Sequence, residues 1–263
     1  MSEHTPEPGD APVAIVTGAA GGIGGAIARE LAASGFDLVL VDITSDDQLD
    51  ALASEVRSRG NGCAVHRADI ADLITHEGMV AKAVGTFGRL DCLVNNAGVS
   101  VLVRGDILDV TAESFDRCAA INARALFFLT QAVARHFLTD PAGNHHRSIV
   151  SITSSSALAV SVDRAEYCIS KAAASMASKA FAVRLAAHGV GVYEIQPGVI
   201  DTPMIAPSRS RYESMIEEGR VPVPRLGRPE DVARAVTTVA RGLLPYTVGQ
   251  SIAVDGGLML ARY

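Results

Sequence analysis

Several common function classes leave no trace in this chain. Its four cysteines, Cys63, Cys92, Cys118 and Cys168, form no C-x-x-C pair and show no metal-ligand spacing. That pattern argues for reduced thiols, a cytoplasmic setting and no metal centre. The start, Met1 to Ala11, is polar, contains Pro6, Pro8 and Gly9, and lacks the apolar core of a secretory signal. It is expected to be a disordered tail before a single domain spanning 12–263. Positive charge is also short: the net charge of −6 gives no electrostatic footprint for nucleic acid or an anionic membrane. No repeat, low-complexity linker or internal boundary interrupts the chain. The strict G-x-G-x-x-G dinucleotide fingerprint is missing too, although glycine itself is plentiful, with 24 residues.

What the chain does have is regular alternation. Apolar, β-branched runs near 13–17, 37–42, 63–67, 91–95, 147–153, 190–196 and 250–254 alternate with helical patterns near 23–34, 46–59, 72–87, 112–138, 165–188 and 229–241. Strand followed by helix, repeated, predicts an α/β fold with a seven-stranded parallel sheet covered on both faces. After the first run comes Thr17-Gly18-Ala19-Ala20-Gly21-Gly22-Ile23-Gly24-Gly25, which leads into a helical segment. Strand, glycine turn, helix is the context for a dinucleotide phosphate, because the first turn of a helix offers free N–H groups and a positive dipole end. The second run ends at Asp42. An acid there suits the adenosine ribose hydroxyls of NAD and repels the 2′-phosphate of NADP. No Arg or Lys stands beside it, since Ile43-Thr44 follow. The competing role for Asp42 is to cap the next helix, where Ser45-Asp46-Asp47 already offers caps.

Chemistry concentrates farther along. Tyr167 and Lys171 are four residues apart in a helical stretch, so they share a helix face. A cation beside a phenol favours the phenolate, lowering a pKa that is ordinarily about 10. Such a phenol suits proton transfer to or from an alcohol or carbonyl oxygen. Tyr-x-x-x-Lys alone also describes a solvated helix pair.

Together these segments resemble the short-chain dehydrogenase/reductase family in its single-domain form, over nearly the whole chain from Val13 to Leu258. Ala68-Asp69-Ile70, Asn95-Asn96-Ala97-Gly98, Asn122 in Ile121-Asn122-Ala123-Arg124, Ser154 ahead of Tyr167, Pro197-Gly198-Val199-Ile200-Asp201-Thr202 and Val254-Asp255-Gly256-Gly257 follow in the family's order. The resemblance implies a three-layer, doubly wound Rossmann fold and a catalytic tetrad of Asn122, Ser154, Tyr167 and Lys171. It implies cofactor contacts from Gly18, Gly22, Ile23, Gly24, Asp42, Ile43, Asp69, Ile70, Asn95, Tyr167, Lys171, Ile200 and Thr202. Ser155 is the fallback for Ser154. It also implies pairing of the two long helices in a homodimer or homotetramer.

The implied reaction interconverts a secondary alcohol and a ketone with NAD(H) in preference to NADP(H). Gly227-Arg228-Pro229-Glu230-Asp231-Val232-Ala233 and Val248-Gly249-Gln250 place the resemblance nearest the 3-oxoacyl-[acyl-carrier-protein] reductase-like members. A sugar or polyol dehydrogenase shares those segments, and a catalytically silent NAD(H) sensor is the reading from another class. The substrate is expected to be a small polar alcohol or ketone, or an acyl thioester, met by Ser100 to Asp106, Ala157 to Glu166 and Pro203 to Pro224. Arg104, Arg164 and Glu166 are the polar candidates. The long 203–224 loop is expected to contain a short helix and act as a lid.

Overall fold

The computed structural model describes residues 11–44, 47–140 and 145–262. Of the expected tail only Ala11 is among them; Met1 to Asp10 lie outside the described residues. The buried β-branched run Val13–Thr17 forms strand β1. There follow α1 (Gly22–Ala33), β2 (Asp37–Asp42), α2 (Asp47–Ser58), β3 (Cys63–Arg67), α3 (Thr75–Phe87), β4 (Cys92–Asn95), α4 (Ala112–Cys118), α5 (Leu126–Thr139) and β5 (Arg147–Ile152). The chain closes with α6 (Ala165–Leu185), β6 (Val190–Pro197), α7 (Arg209–Glu217), α8 (Pro229–Ala240) and β7 (Ser251–Val254).

The strands form one seven-stranded sheet in the order β3-β2-β1-β4-β5-β6-β7, and every neighbouring pair is parallel. This is the doubly wound α/β fold expected from the alternation. Period-two geometry splits β1 between two cores. Ala14 and Val16 face α1, α2 and α8, while Val13 and Ile15 face α3, α5 and α6. Helix α8 shows the amphipathic pattern plainly: Val232, Ala233, Val236, Val239 and Ala240 make one buried stripe. Pro229 opens α8, and the Asp231 carboxylate accepts from the Arg228 N–H to close its first turn.

The strand order reverses direction of growth between β1 and β4, and open parallel sheets bind ligands outside the carboxyl ends of strands at such a point. The glycine turn after β1 and Asn96 to Gly98 after β4 meet there. One departure from the expected elements and one expectation met bear on the site. The single helix expected over 112–138 is interrupted by a π turn, Ala119–Ala125, joining α4 to α5. The 203–224 segment holds a 3₁₀ stretch, Pro203–Ser208, and the helix α7. Among the described residues, no helix is long and apolar enough to cross a membrane.

Candidate active site

A cavity of about 930 Å³ opens at the carboxyl edge of the sheet. One end is built from main chain. Gly18 has φ +64°, and a Cβ on it would come 2.8 Å from the Ala97 Cα. A Cβ on Gly24 would sit 1.9 Å from the Gly18 carbonyl oxygen. The turn therefore closes only with glycine at both places. Asn96 fastens it to β4: its Nδ2 donates to the carbonyls of Thr17 at 2.9 Å and Gly18 at 3.0 Å. The Thr17 hydroxyl oxygen accepts from the N–H groups of Asn96 at 3.0 Å and Ala97 at 3.1 Å.

Asp42 ends β2 facing this turn, and its carboxylate accepts from Ala20 N at 2.9 Å and Thr44 N at 3.1 Å. It thus fixes the glycine loop as well as lining the cavity. Two accepted bonds leave lone pairs on a carboxylate. Gly18, Gly22, Ile23, Gly24, Asp42, Ile43, Asp69, Ile70, Ile200 and Thr202 all line this cavity. Asn95 does not. It is buried in β4, and its Nδ2 donates to Thr130 Oγ1 at 2.9 Å; the neighbouring Asn96 faces the cavity instead. The steric cradle of glycines, the free first turn of α1 and an acid at the end of β2 fit a dinucleotide.

The other end is built from side chains. Ser154, Tyr167 and Lys171 line the cavity together. Ser154 precedes a short 3₁₀ turn, Ser155–Ala157, and its hydroxyl accepts from Ser156 N at 3.1 Å. It also stands beside the Tyr167 phenol and favours its charged form, which supports Ser154 over Ser155, although both line the cavity. Burial holds the Tyr167 phenol above its ordinary value, opposed by the neighbouring Ser154 hydroxyl and the Arg164 charge. The sequence argument expected Lys171 to lower it. Instead the Lys171 ammonium lies 5.9 Å from the ring centre and donates to the Ile152 carbonyl at 3.0 Å. Burial pulls the Lys171 pKa down to about 8, against the opposing pull of the Cys118 and Glu194 side chains. Each buried group resists carrying charge, and that penalty outweighs the attraction across this distance.

Asn122 sits at the centre of the π turn, an irregularity concentrated at functional positions. Its Oδ1 accepts from Val99 N at 2.8 Å, and its Nδ2 donates to Val99 O at 3.0 Å and Ser170 Oγ at 2.9 Å. A Cβ on Gly98 would lie 3.1 Å from Asn122 Oδ1 and 3.3 Å from Lys171 Nζ, so both polar ends flank one glycine.

Of the three polar candidates near the substrate, Arg104 and Arg164 line the cavity. Glu166 does not: it is buried against α4, where its Oε1 accepts from Ser114 Oγ at 2.7 Å. Adjacent positions on a helix point about 100° apart, so a residue next to Tyr167 turns away from the cavity. Sequence reasoning also passed over Glu194. This acid, 1% exposed in the middle of β6, accepts from Ser175 Oγ at 2.9 Å and Gln196 Nε2 at 3.0 Å, and from the hydroxyls of Thr153 and Ser251. Its network touches the residue before Ser154 and the residue one turn beyond Lys171. An acid inside a mostly apolar strand was the available signal.

A family model described as enoyl-(acyl carrier protein) reductase matches residues 18–259. A crystal structure of a 3-oxoacyl-[acyl-carrier protein] reductase from Brucella melitensis in complex with NAD is 42% identical, with a TM-score of 0.93, covering 96% of this chain and 99% of that one. L-rhamnose 1-dehydrogenase (NAD(P)(+)) from Sphingomonas sp. (strain SKA58) is 32% identical over 93% of this chain and 94% of its own. A 3-oxoacyl-[acyl-carrier-protein] reductase from Thermotoga maritima is 32% identical over 94% of this chain and 98% of its own.

Proposed function

Since the chain belongs to the short-chain dehydrogenase/reductase family, and so is an oxidoreductase acting on CH–OH groups with a nicotinamide cofactor, we propose that it interconverts a polar secondary alcohol and its ketone using NAD(H), in one cytoplasmic catalytic domain spanning 12–263. The observation that carries this reading is the convergence of Ser154, Tyr167 and Lys171 on one cavity with the glycine cradle. The cofactor, when bound, supplies or accepts the hydride. Gly18, Gly22 and Gly24 would admit its pyrophosphate, Asp42 its adenosine ribose, and Lys171 its nicotinamide ribose.

The protein's own part is the proton. A phenol held above its ordinary value is protonated at neutral pH and donates to a carbonyl oxygen during reduction. Ser154 hydrogen-bonds the same oxygen and orients it. In oxidation the Tyr167 phenol first gives its proton toward solvent by way of Lys171, Asn122 and water, and the phenolate so formed takes the proton of the alcohol. NAD(H) is favoured over NADP(H) because the Asp42 carboxylate faces the position a 2′-phosphate needs.

Two substrate types remain in play, a 3-oxoacyl thioester and a sugar or polyol. The arginines and serines lining the reacting end support a polar ligand in either case. Exposed Phe127, Phe128, Ile169, Met176 and Val183 on α5 and α6 support self-association through these helices into a dimer or tetramer, to be read by light scattering. The primary test follows NADH absorbance across sugars, polyols, 3-oxoacyl thioesters and steroids with both cofactors. Turnover of a polar alcohol or ketone supports the reading. NAD(H) binding without any turnover would favour a sensor, and a strong preference for a steroid would overturn the polar pocket.

A further inference from the structure

The cavity is electrically lopsided. Its lining contains two acids, Asp42 and Asp69, both at the glycine-cradle end. The remaining charged residues in the lining are all cationic: Arg104, Arg117, Arg164, Arg211 and Lys171. Four guanidinium groups thus converge on the reacting end from four separate segments: the loop after β4, α4, the turn before α6, and α7. A solvated surface would scatter them.

Their partners leave cation in excess. Asp163 accepts from Arg104 at 3.0 Å and from Arg211 at 2.8 Å through one and the same oxygen, and Arg104 also reaches Tyr212 Oη at 3.3 Å. Arg117 donates to the neutral carbonyl of Ser100 at 2.9 Å. The other acid close by, Glu166, is turned to Ser114. The four guanidinium groups therefore meet one carboxylate, Asp163, and a guanidinium has five N–H donors to satisfy.

Arg164 is the least satisfied of the four. It lies over the Tyr167 ring, 5.2 Å from its centre, and its Nε is buried without a hydrogen-bond partner. Buried polar nitrogens are normally paired, because leaving one unmade sacrifices its hydration. An anion entering beside Tyr167 would supply the missing acceptor through a charge-assisted bond, the stronger kind, and the planar guanidinium suits two-oxygen acceptors.

Resting on the reading of this site as an alcohol/ketone oxidoreductase, we propose that the substrate is a hydroxy or oxo acid whose carboxylate lies close to the reacting carbon and is held by Arg164, with Arg104 and Arg211 completing the anion pocket. An anionic group could also reach the cavity as the phosphate of a phosphopantetheine thioester. The position of Arg164 against the ring of the proton-transferring Tyr167 favours the carboxylate, because that phosphate is many bonds from its thioester carbonyl.

The test separates binding from turnover. Acetoacetate against acetoacetamide, with NADH present, and gluconate against glucitol, with NAD⁺ present, are titrated by calorimetry and assayed for turnover. The acid of at least one pair is expected to bind tenfold or more tighter than its neutral partner. Arg164→Gln should cut that ratio to threefold or less, and Arg164→Lys should restore part of it. Should Arg164→Gln fail to fold by circular dichroism, Arg211→Gln on α7 is expected to lower the ratio at least threefold. Equal binding of acid and neutral partners, or a ratio that survives these substitutions, overturns the proposal. So does acetoacetyl-CoA binding tighter than every acid while its phosphate-free N-acetylcysteamine thioester does not. A preserved acid preference with no turnover of any compound would instead overturn the oxidoreductase reading and leave the anion pocket standing.

Discussion

The two ends of the cavity are built on different principles. The glycine-cradle end is made of main chain: turn carbonyls and N–H groups, strand ends, and three side chains, Thr17, Asp42 and Asn96, that tie the turn in place. The reacting end is made of side chains, Ser154, Tyr167, Lys171 and the arginines, reaching in from helices and loops. A main-chain site depends on the absence of atoms, so its sensitive positions are glycines. A side-chain site depends on particular atoms, so one oxygen or one ammonium decides its activity. Cofactor binding and chemistry should therefore separate under mutation, except at a residue serving both ends.

Lys171 is that residue, and Lys171→Met should break the separation most severely. Turnover is expected to fall by about 10²–10⁴-fold, the usual range for losing a proton-transfer group, and NADH affinity should fall with it in a fluorescence titration. Retained affinity would confine Lys171 to the reacting end. Next in size, Gly24→Ala forces a Cβ against the Gly18 carbonyl, 1.9 Å away. Overpacking of this kind costs about 1–3 kcal/mol, so thermal unfolding should shift down and NADH affinity should drop at least tenfold. An unchanged melting temperature and affinity would show that the cradle yields.

Asp42→Ala sharpens the comparison from the other side. It removes an acceptor for the ribose and the repulsion of a 2′-phosphate, and the ratio of kcat/KM for NADH over NADPH should fall about tenfold, corresponding to roughly 1.4 kcal/mol. A wild-type enzyme faster with NADPH would refute the role of Asp42. The smallest effect is one of pH. Because burial lowers the Lys171 pKa to about 8, its ammonium is present below that pH and is lost above it. NADH affinity should be level below about pH 8 and decline above, whereas in Lys171→Met that decline should vanish. An identical decline in both proteins would assign the titration to another group.

The same contrast explains what could be read in advance. β1, β2 and β3 coincide with the apolar runs, and the cradle was visible because its glycines lie within seven residues of one another, Gly18 to Gly24. The choice between Asn95 and Asn96 was not legible: neighbouring residues at a strand end point to opposite sides, and only the register of β4 decides which faces the cavity. The π turn around Asn122 has no residue preference that would announce it. The anion pocket was hardest. Arg104, Arg164 and Arg211 come from segments brought together by Asp163 across 59 and 48 positions, and no local pattern encodes that meeting. The direction of the Tyr167 pKa was missed for a related reason, since burial is a property of the packed fold while spacing is a property of the helix.

The measurement closest to the centre of this account is Tyr167→Phe assayed twice, for turnover and for NADH affinity. The substitution deletes one oxygen from the reacting end and leaves the ring beneath Arg164 and the entire glycine cradle in place. The account predicts a turnover loss of about 10²–10⁴-fold with the NADH dissociation constant unchanged within about threefold, roughly 0.7 kcal/mol. Retention of more than about a tenth of the turnover, outside that range, would contradict it.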